Sequence, residues 1–249
     1  DASLIGDAKL ILRQLCDRMK QHENKEWTDH IKELMEKYPL TYNKEALTGP
    51  YVIEKLYEAT KGDAIITTDV GQHQMWAAQY YTYSRPRTFL TSGGLGTMGF
   101  GMGAAIGAQM GTGERTVLVT GDGSFGMNLN EMATAVANKV PLVILLMNNG
   151  VLGMVRQWQT LFFQKHYSNT MLDARQTDFV KLAEAFGAQA SRALTLEELD
   201  EALEKAFSCD GPYLIDCAID KDEFVLPMLP PGGSIEDIIV SIDKEGDNE

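Results

Sequence analysis

The chain has 249 residues, with 22 Lys+Arg against 35 Asp+Glu and a formal net charge of −13. That balance excludes a general nucleic-acid binder, which needs clustered cations, but not a phosphorylated cofactor held by local backbone donors or a metal. No apolar run approaches the ~20 residues that span a bilayer, and three cysteines without a C-x-x-C spacing fit free thiols in a reducing, cytoplasmic compartment.

The chain opens at Asp1 without methionine or a visible targeting segment, which hints at a fragment. Leu4, Ala8, Ile11, Leu12, Leu15 and Met19 recur at helical spacing over residues 4–20. Trp27, Ile31, Leu34, Met35 and Tyr38 do so over 26–38, after the polar connector QHENKE. Residues 39–47 read as a linker, with a domain boundary near Ala46. Thr48 and Pro50 then open a helix running to about Lys61. Beyond it, strands are predicted at 64–69, 88–91, 115–120, 141–147 and 213–218, the apolar runs being those of buried parallel strands. Helices are predicted at 75–81, 99–110, 129–138, 153–164 and 178–186. Thr195 and Glu198 form a capping box for another, ending near Ser208. From Gly232 the tail is polar and acidic, with a mobile end expected.

This alternation predicts an α/β fold: a doubly wound parallel sheet flanked by helices, preceded by a short helical segment. Such sheets bind ligands at the carboxyl ends of their strands. Three polar clusters fall at predicted strand ends: 69–74, 121–124 and 148–151.

Two motifs compete for a phosphate-bearing ligand. Gly94, Gly96 and Gly99 match G-x-G-x-x-G between a strand and a helix, with Asp122 at the next strand end, as a nicotinamide dinucleotide site requires. The plainer reading of these glycines is close packing. Gly99, Gly103, Gly107 and Gly111 recur every fourth residue, a flat ridge that another helix can approach closely. The second motif is Gly121, Asp122, Gly123 and Ser124, followed one strand later by Asn148 and Asn149. A carboxylate, an amide oxygen and a nearby carbonyl are hard oxygen ligands that suit Mg²⁺. The glycines and the helix after them bring N–H groups towards the same anion. Alone, Asp122 reads equally as a helix cap and Asn149 as a turn residue. Together they favour a metal–diphosphate site.

The GDGS…NN pair is similar to the cofactor motif of thiamine diphosphate enzymes. With VGQHQMW at 70–76, TSGGLGTMG at 91–99 and GMVRQW at 153–158, the chain resembles the catalytic large subunit of the acetohydroxyacid (acetolactate) synthases over residues 47–231. Residues 1–20 resemble the last helix of that family's middle domain. The resemblance implies roles. Asp122, the side chain of Asn149 and the carbonyl of Val151 would hold Mg²⁺. Gln72, His73, Gly121, Gly123 and Ser124 would contact the diphosphate. Met98 would wedge the cofactor into its bent form, and the carbonyl of Gly96 would accept from the aminopyrimidine. Met154 would lie beside the cofactor and, with Val155 and Trp158, line the substrate channel. Met98 on its glycine-rich segment has plain core as its lesser reading, whereas without the resemblance Trp158, with Val155 and Phe162 at helical spacing, reads equally as core.

The implied reaction condenses pyruvate with a second pyruvate or with 2-oxobutyrate, giving 2-acetolactate or 2-aceto-2-hydroxybutyrate for branched-chain amino-acid synthesis. In that family the activating glutamate lies in an N-terminal domain, and much of the FAD site lies in the middle domain. Neither is in this sequence, so the chain reads as a C-terminal part, inactive alone and without a catalytic residue of its own. Residues 1–46 would be the end of the middle domain plus linker, 47–231 the thiamine diphosphate and Mg²⁺ domain, and 232–249 an acidic tail. A homo-oligomer with shared active sites and a small regulatory subunit are the implied partners. Another thiamine diphosphate decarboxylase or oxidase, or a non-catalytic module paired with another chain, remain as alternatives.

Overall fold

Asp7 starts the first helix, α1 (Ala8–Arg18), by accepting the N–H of Leu10 at 3.0 Å. A second helix, α2 (Lys25–Lys37), follows. Neither buries a residue, so Leu12, Trp27 and Met35 stay exposed. The computed structural model describes residues 3–242 and divides into two compact units, Asp1–Thr41 and Tyr42–Glu249. The end of the acidic tail, 243–249, lies outside the described residues.

The second unit begins with α3 (Gly49–Thr60), whose cap Thr48 accepts from the N–H of Tyr51 and whose second position is Pro50. The helix stops at Lys61, which takes a left-handed conformation with φ 53°. Six parallel strands follow: β1 (Ile65–Thr68), β2 (Phe89–Leu90), β3 (Thr116–Gly121), β4 (Val143–Asn148), β5 (Gln189–Ala193) and β6 (Tyr213–Ala218). Their order across the sheet is β2-β1-β3-β4-β6-β5. The connecting helices are α4 (Gln72–Tyr80), α5 (Phe100–Thr112), α6 (Asp122–Asn128), α7 (Met132–Ala137), α8 (Gly153–Phe162), α9 (Phe179–Phe186) and α10 (Leu196–Phe207).

Alternate side chains of one strand serve opposite faces. Val143, Leu145 and Met147 join a core with α3, α4 and α10 through Ile53, Trp76 and Leu203. Ile144 and Leu146 join the other with α5, α6 and α9 through Met102, Phe125 and Phe179. Both faces are covered, which is why the central strands read as continuous apolar runs rather than alternating ones. The expected doubly wound parallel architecture is therefore present.

Several local expectations need correction. The helix expected from 75 begins at Gln72. The helix expected over 129–138 is split: α6 starts at Asp122 itself, a 3-10 turn occupies Leu129–Glu131, and α7 completes it. Strand β5 was not expected at all. The Thr195 box is half formed, because Thr195 accepts from the N–H of Glu198 while the Glu198 carboxylate accepts from Leu194. Of the glycine ridge only Gly99 is closely packed, a Cβ there lying 3.2 Å from Met127, while a Cβ at Gly103, Gly107 or Gly111 would meet open space. Packing is closer at Gly101, where a Cβ would lie 2.6 Å from Leu118.

Candidate functional site

The direction of crossover reverses between β1 and β3, and the crevice at such a switch point is where open α/β sheets place ligands. The carboxyl ends of β1, β3 and β4 feed the segments 69–74, 121–124 and 148–151, the three polar clusters of the sequence. They wall a cleft of about 270 Å³. Gln72, His73, Gly96, Met98, Gly121, Asp122, Gly123, Ser124, Asn149, Val151, Met154 and Val155 all line it. Of the anticipated site residues only Trp158 stands outside, in a second cleft described below.

His73, in the first turn of α4, is buried, and its Nε2 has no partner. Burial pushes its pKa down to about 3, against a hydrogen bond to the backbone of Asp69. Gly121 makes room for the ring: a Cβ there would lie 3.0 Å from His73 Nδ1. At Gly123 a Cβ would reach 2.7 Å from Leu152 and 3.7 Å from the Met98 methyl. The Ser124 hydroxyl donates to the carbonyl of Val70 at 2.9 Å, so its proton is already committed.

Asp122 is the first residue of α6, not its cap, which is Gly121. Burial pushes its carboxyl up to about 6, opposed by the N–H groups of Asp122, Gly123 and Asn149 and by the charge of Arg175. Asn149 thus meets Asp122 through its backbone. Its side-chain oxygen accepts the N–H of Val151 at 3.2 Å, and its NH₂ faces Gln72 Oε1 at 3.4 Å. Among the described residues no three His, Cys, Asp or Glu cluster as a metal site. A cation here would rest on one carboxylate, neutral oxygens and the oxygens of a bound anion, a donor set that suits Mg²⁺. A partnerless buried imidazole nitrogen, two glycines at which a Cβ would crowd His73 and Leu152 and a buried carboxylate therefore fit a metal-bound diphosphate.

Beside this polar end the walls are apolar. Met154 packs against the core. With Val155 it also borders a second cleft, of about 630 Å³, lined by Trp158, Gln159, Phe163 and His166. Trp158 and Phe162 stack edge to face at 5.5 Å and remain partly exposed, so the core reading of Val155, Trp158 and Phe162 does not hold.

Sequence reasoning missed the residues that hold the site in place. The buried Asp69 accepts the N–H groups of Gly99 and Gly101, each at 2.9 Å, and the Thr120 hydroxyl at 2.7 Å. It caps α5 and ties β1 to β3. The same contact removes the nicotinamide alternative, because the helix start after G-x-G-x-x-G is filled by a carboxylate that would repel a pyrophosphate. Arg156 stacks on Tyr167 and pairs with Asp222 at 2.7 Å. Gln157, fully buried, bonds Val225 and Gln72. The forewarning for Asp69 was its place in the polar cluster 69–74, and for the others their place inside the GMVRQW and VGQ motifs.

The family profile described as thiamine pyrophosphate enzyme, C-terminal TPP binding domain, matches residues 69–217. The chain is 42% identical over 240 residues to the acetolactate synthase isozyme 2 large subunit of Escherichia coli (strain K12), covering 95% of this chain and 43% of that protein. It is 42% identical over 260 residues to acetolactate synthase 1, chloroplastic, of Nicotiana tabacum, covering 98% and 38%. The chain thus spans about two fifths of the curated relatives it matches. The Rhodococcus jostii RHA1 thiamine diphosphate-dependent 4-hydroxybenzoylformate decarboxylase superposes with a TM-score of 0.67 over 75% of this chain and 35% of that one. At 24% identity that likeness carries the fold alone.

Proposed function

Because the chain belongs to the thiamine pyrophosphate enzymes, we propose that it supplies the diphosphate- and Mg²⁺-binding part of an acetolactate synthase. Pyruvate would be condensed with pyruvate or 2-oxobutyrate. The observation that carries this reading is the convergence of three strand ends on one cleft holding a buried carboxylate and a partnerless imidazole nitrogen.

Asp122, the Asn149 side chain and the Val151 carbonyl would hold Mg²⁺, with water and diphosphate oxygens completing its shell. The free N–H groups of Gln72 and His73 at the start of α4, with His73 Nε2, would take the diphosphate. Gln72 contributes through its backbone, since both hydrogens of its amide are bonded within the protein. Ser124 does likewise. Bound thiamine diphosphate supplies the electron sink for decarboxylation. Met98, lying over Gly123, would keep it bent, and the Gly96 carbonyl would orient its pyrimidine. Met154, Val155 and Trp158 would exclude water from the substrate channel and grip the acceptor's alkyl group.

The activating carboxylic acid would come from another domain, and active sites would be shared between copies of the chain. Residues 1–46 would end a preceding domain. FAD and a regulatory subunit belong to the complete enzyme in this proposal, and a cytoplasmic setting suits the three unpaired cysteines. No helix of the described residues is long and apolar enough to cross a membrane. The test is acetolactate formation from pyruvate, read as acetoin after acid treatment. The intact protein should form it and the 249-residue chain alone should not. No product from the intact protein with thiamine diphosphate and Mg²⁺ would end the proposal.

A further inference from the structure

Gln157 is fully buried on α8, and its amide is satisfied on every side. Its oxygen accepts from the Val225 N–H at 2.9 Å and from Gln72 Nε2 at 3.0 Å. Its NH₂ donates to the Val225 carbonyl at 2.9 Å and to the Met228 sulfur at 3.4 Å. The backbone of Val225 cannot be reversed, so neither can this amide. Gln72 then has no choice either. Its two hydrogens go to Gln157 and to the Glu223 carbonyl at 2.8 Å, leaving its oxygen towards Asn149 Nδ2 at 3.4 Å. Turning any link would set donor against donor, or oxygen against oxygen, inside a buried network. The relay passes directly over Gly153, where a Cβ would fall 2.0 Å from the Gln72 oxygen.

We infer that Gln157 is a positioning residue which, through Gln72, fixes the facing of the Asn149 amide so that its oxygen, not its NH₂, is offered to the metal. An amide offers a cation only its oxygen, and here two contacts set the face: the Val151 N–H donates to that oxygen at 3.2 Å, and the Gln72 oxygen holds the NH₂ at 3.4 Å. The inference rests on the proposed function, since it presumes a cation between Asp122 and Asn149.

The test is a cycle in the intact protein: Mg²⁺ titrated by calorimetry at saturating thiamine diphosphate into wild type, Gln157→Met, Asn149→Asp and the double variant. Gln157→Met is expected to weaken Mg²⁺ about 10-fold or more, as losses of ligand-orienting partners do. A carboxylate offers an oxygen whichever way it faces, and with the relay intact its inner oxygen is set against that of Gln72. In the Asn149→Asp background, removing Gln157 is therefore expected to leave affinity unchanged or raise it. Equal losses in both backgrounds, or none in either, would overturn the inference. Gln72→Met cuts the middle link and should reproduce the pattern even where Gln157→Met fails to fold. A wild-type protein without Mg²⁺-dependent cofactor binding would instead bring down the proposed function, and this inference with it.

Discussion

The backbone N–H of Asn149 points at the carboxylate of Asp122, joining the carboxyl end of β4 to that of β3. Two residues a whole helix and strand apart thereby share one buried polar point. Without a cation the arrangement is costly, since burial holds the Asp122 carboxyl at about 6.

Asp122→Asn should therefore move stability and binding in opposite directions. A carboxyl raised in the folded state favours folding below its unfolded pKa of 3.8 and loses that contribution as pH rises through about 6. At pH 7 the charged form is a liability, and neutralising it should stabilise the metal-free protein by about 1–2 kcal/mol, the amide's unpaired NH₂ offsetting part of the gain. Cofactor affinity should fall by on the order of 2–5 kcal/mol. Chemical unfolding and titration calorimetry read the two halves. Destabilisation of the metal-free protein would contradict the reading of a poised ligand.

His73 predicts an acid limb. Its folded pKa of about 3 lies below the ordinary 6.5, so its contribution to stability is present above 6.5 and is lost as pH falls towards 3. Between pH 7 and pH 5 the loss from this group alone is about 2 kcal/mol. Urea unfolding of the cofactor-free protein at the two pH values should show it, and His73→Gln should remove that share. An identical pH dependence in the variant would mean that the imidazole is not held neutral.

Asp69→Ala leaves two backbone N–H groups and the Thr120 hydroxyl without their acceptor. The expected cost is about 3 kcal/mol, a lost helix cap plus buried unsatisfied donors. A change below about 1 kcal/mol in urea unfolding would show that water replaces the carboxylate readily.

The sheet was legible because its central strands are buried on both faces and read as unbroken apolar runs. β5 was not: Gln189, Ser191 and Arg192 at the sheet edge carry little apolar signal. α6 was hidden by Gly123 and Gly126, which read as loop. Its own Phe125, buried in the core against Phe179, overrides that propensity. The polar residues of the cleft were legible because they sit at strand ends, where they interrupt apolar runs. Asp69, Gln72 and Gln157 act through contacts up to 85 positions apart, and no local pattern announces such pairings.

Trp158 borders the apolar cleft that meets the proposed cofactor cleft at Met154 and Val155. If its indole packs against the ethyl group of 2-oxobutyrate, one methylene is worth ~1–3 kcal/mol. Trp158→Leu should then lower the preference for 2-oxobutyrate over pyruvate about tenfold or more, with pyruvate self-condensation largely kept. Competition between the two acceptors measures it. An unchanged product ratio with lower total activity would make Trp158 a packing residue only.

The most direct test of the central claim is calorimetric titration of thiamine diphosphate into the intact protein, with Mg²⁺ and then with Mg²⁺ chelated, for wild type and Asp122→Ala. The account predicts tight binding only for wild type with Mg²⁺, and a loss of at least 30-fold, about 2 kcal/mol, in either other condition. Equal affinity with and without the metal, or in the variant, would contradict it.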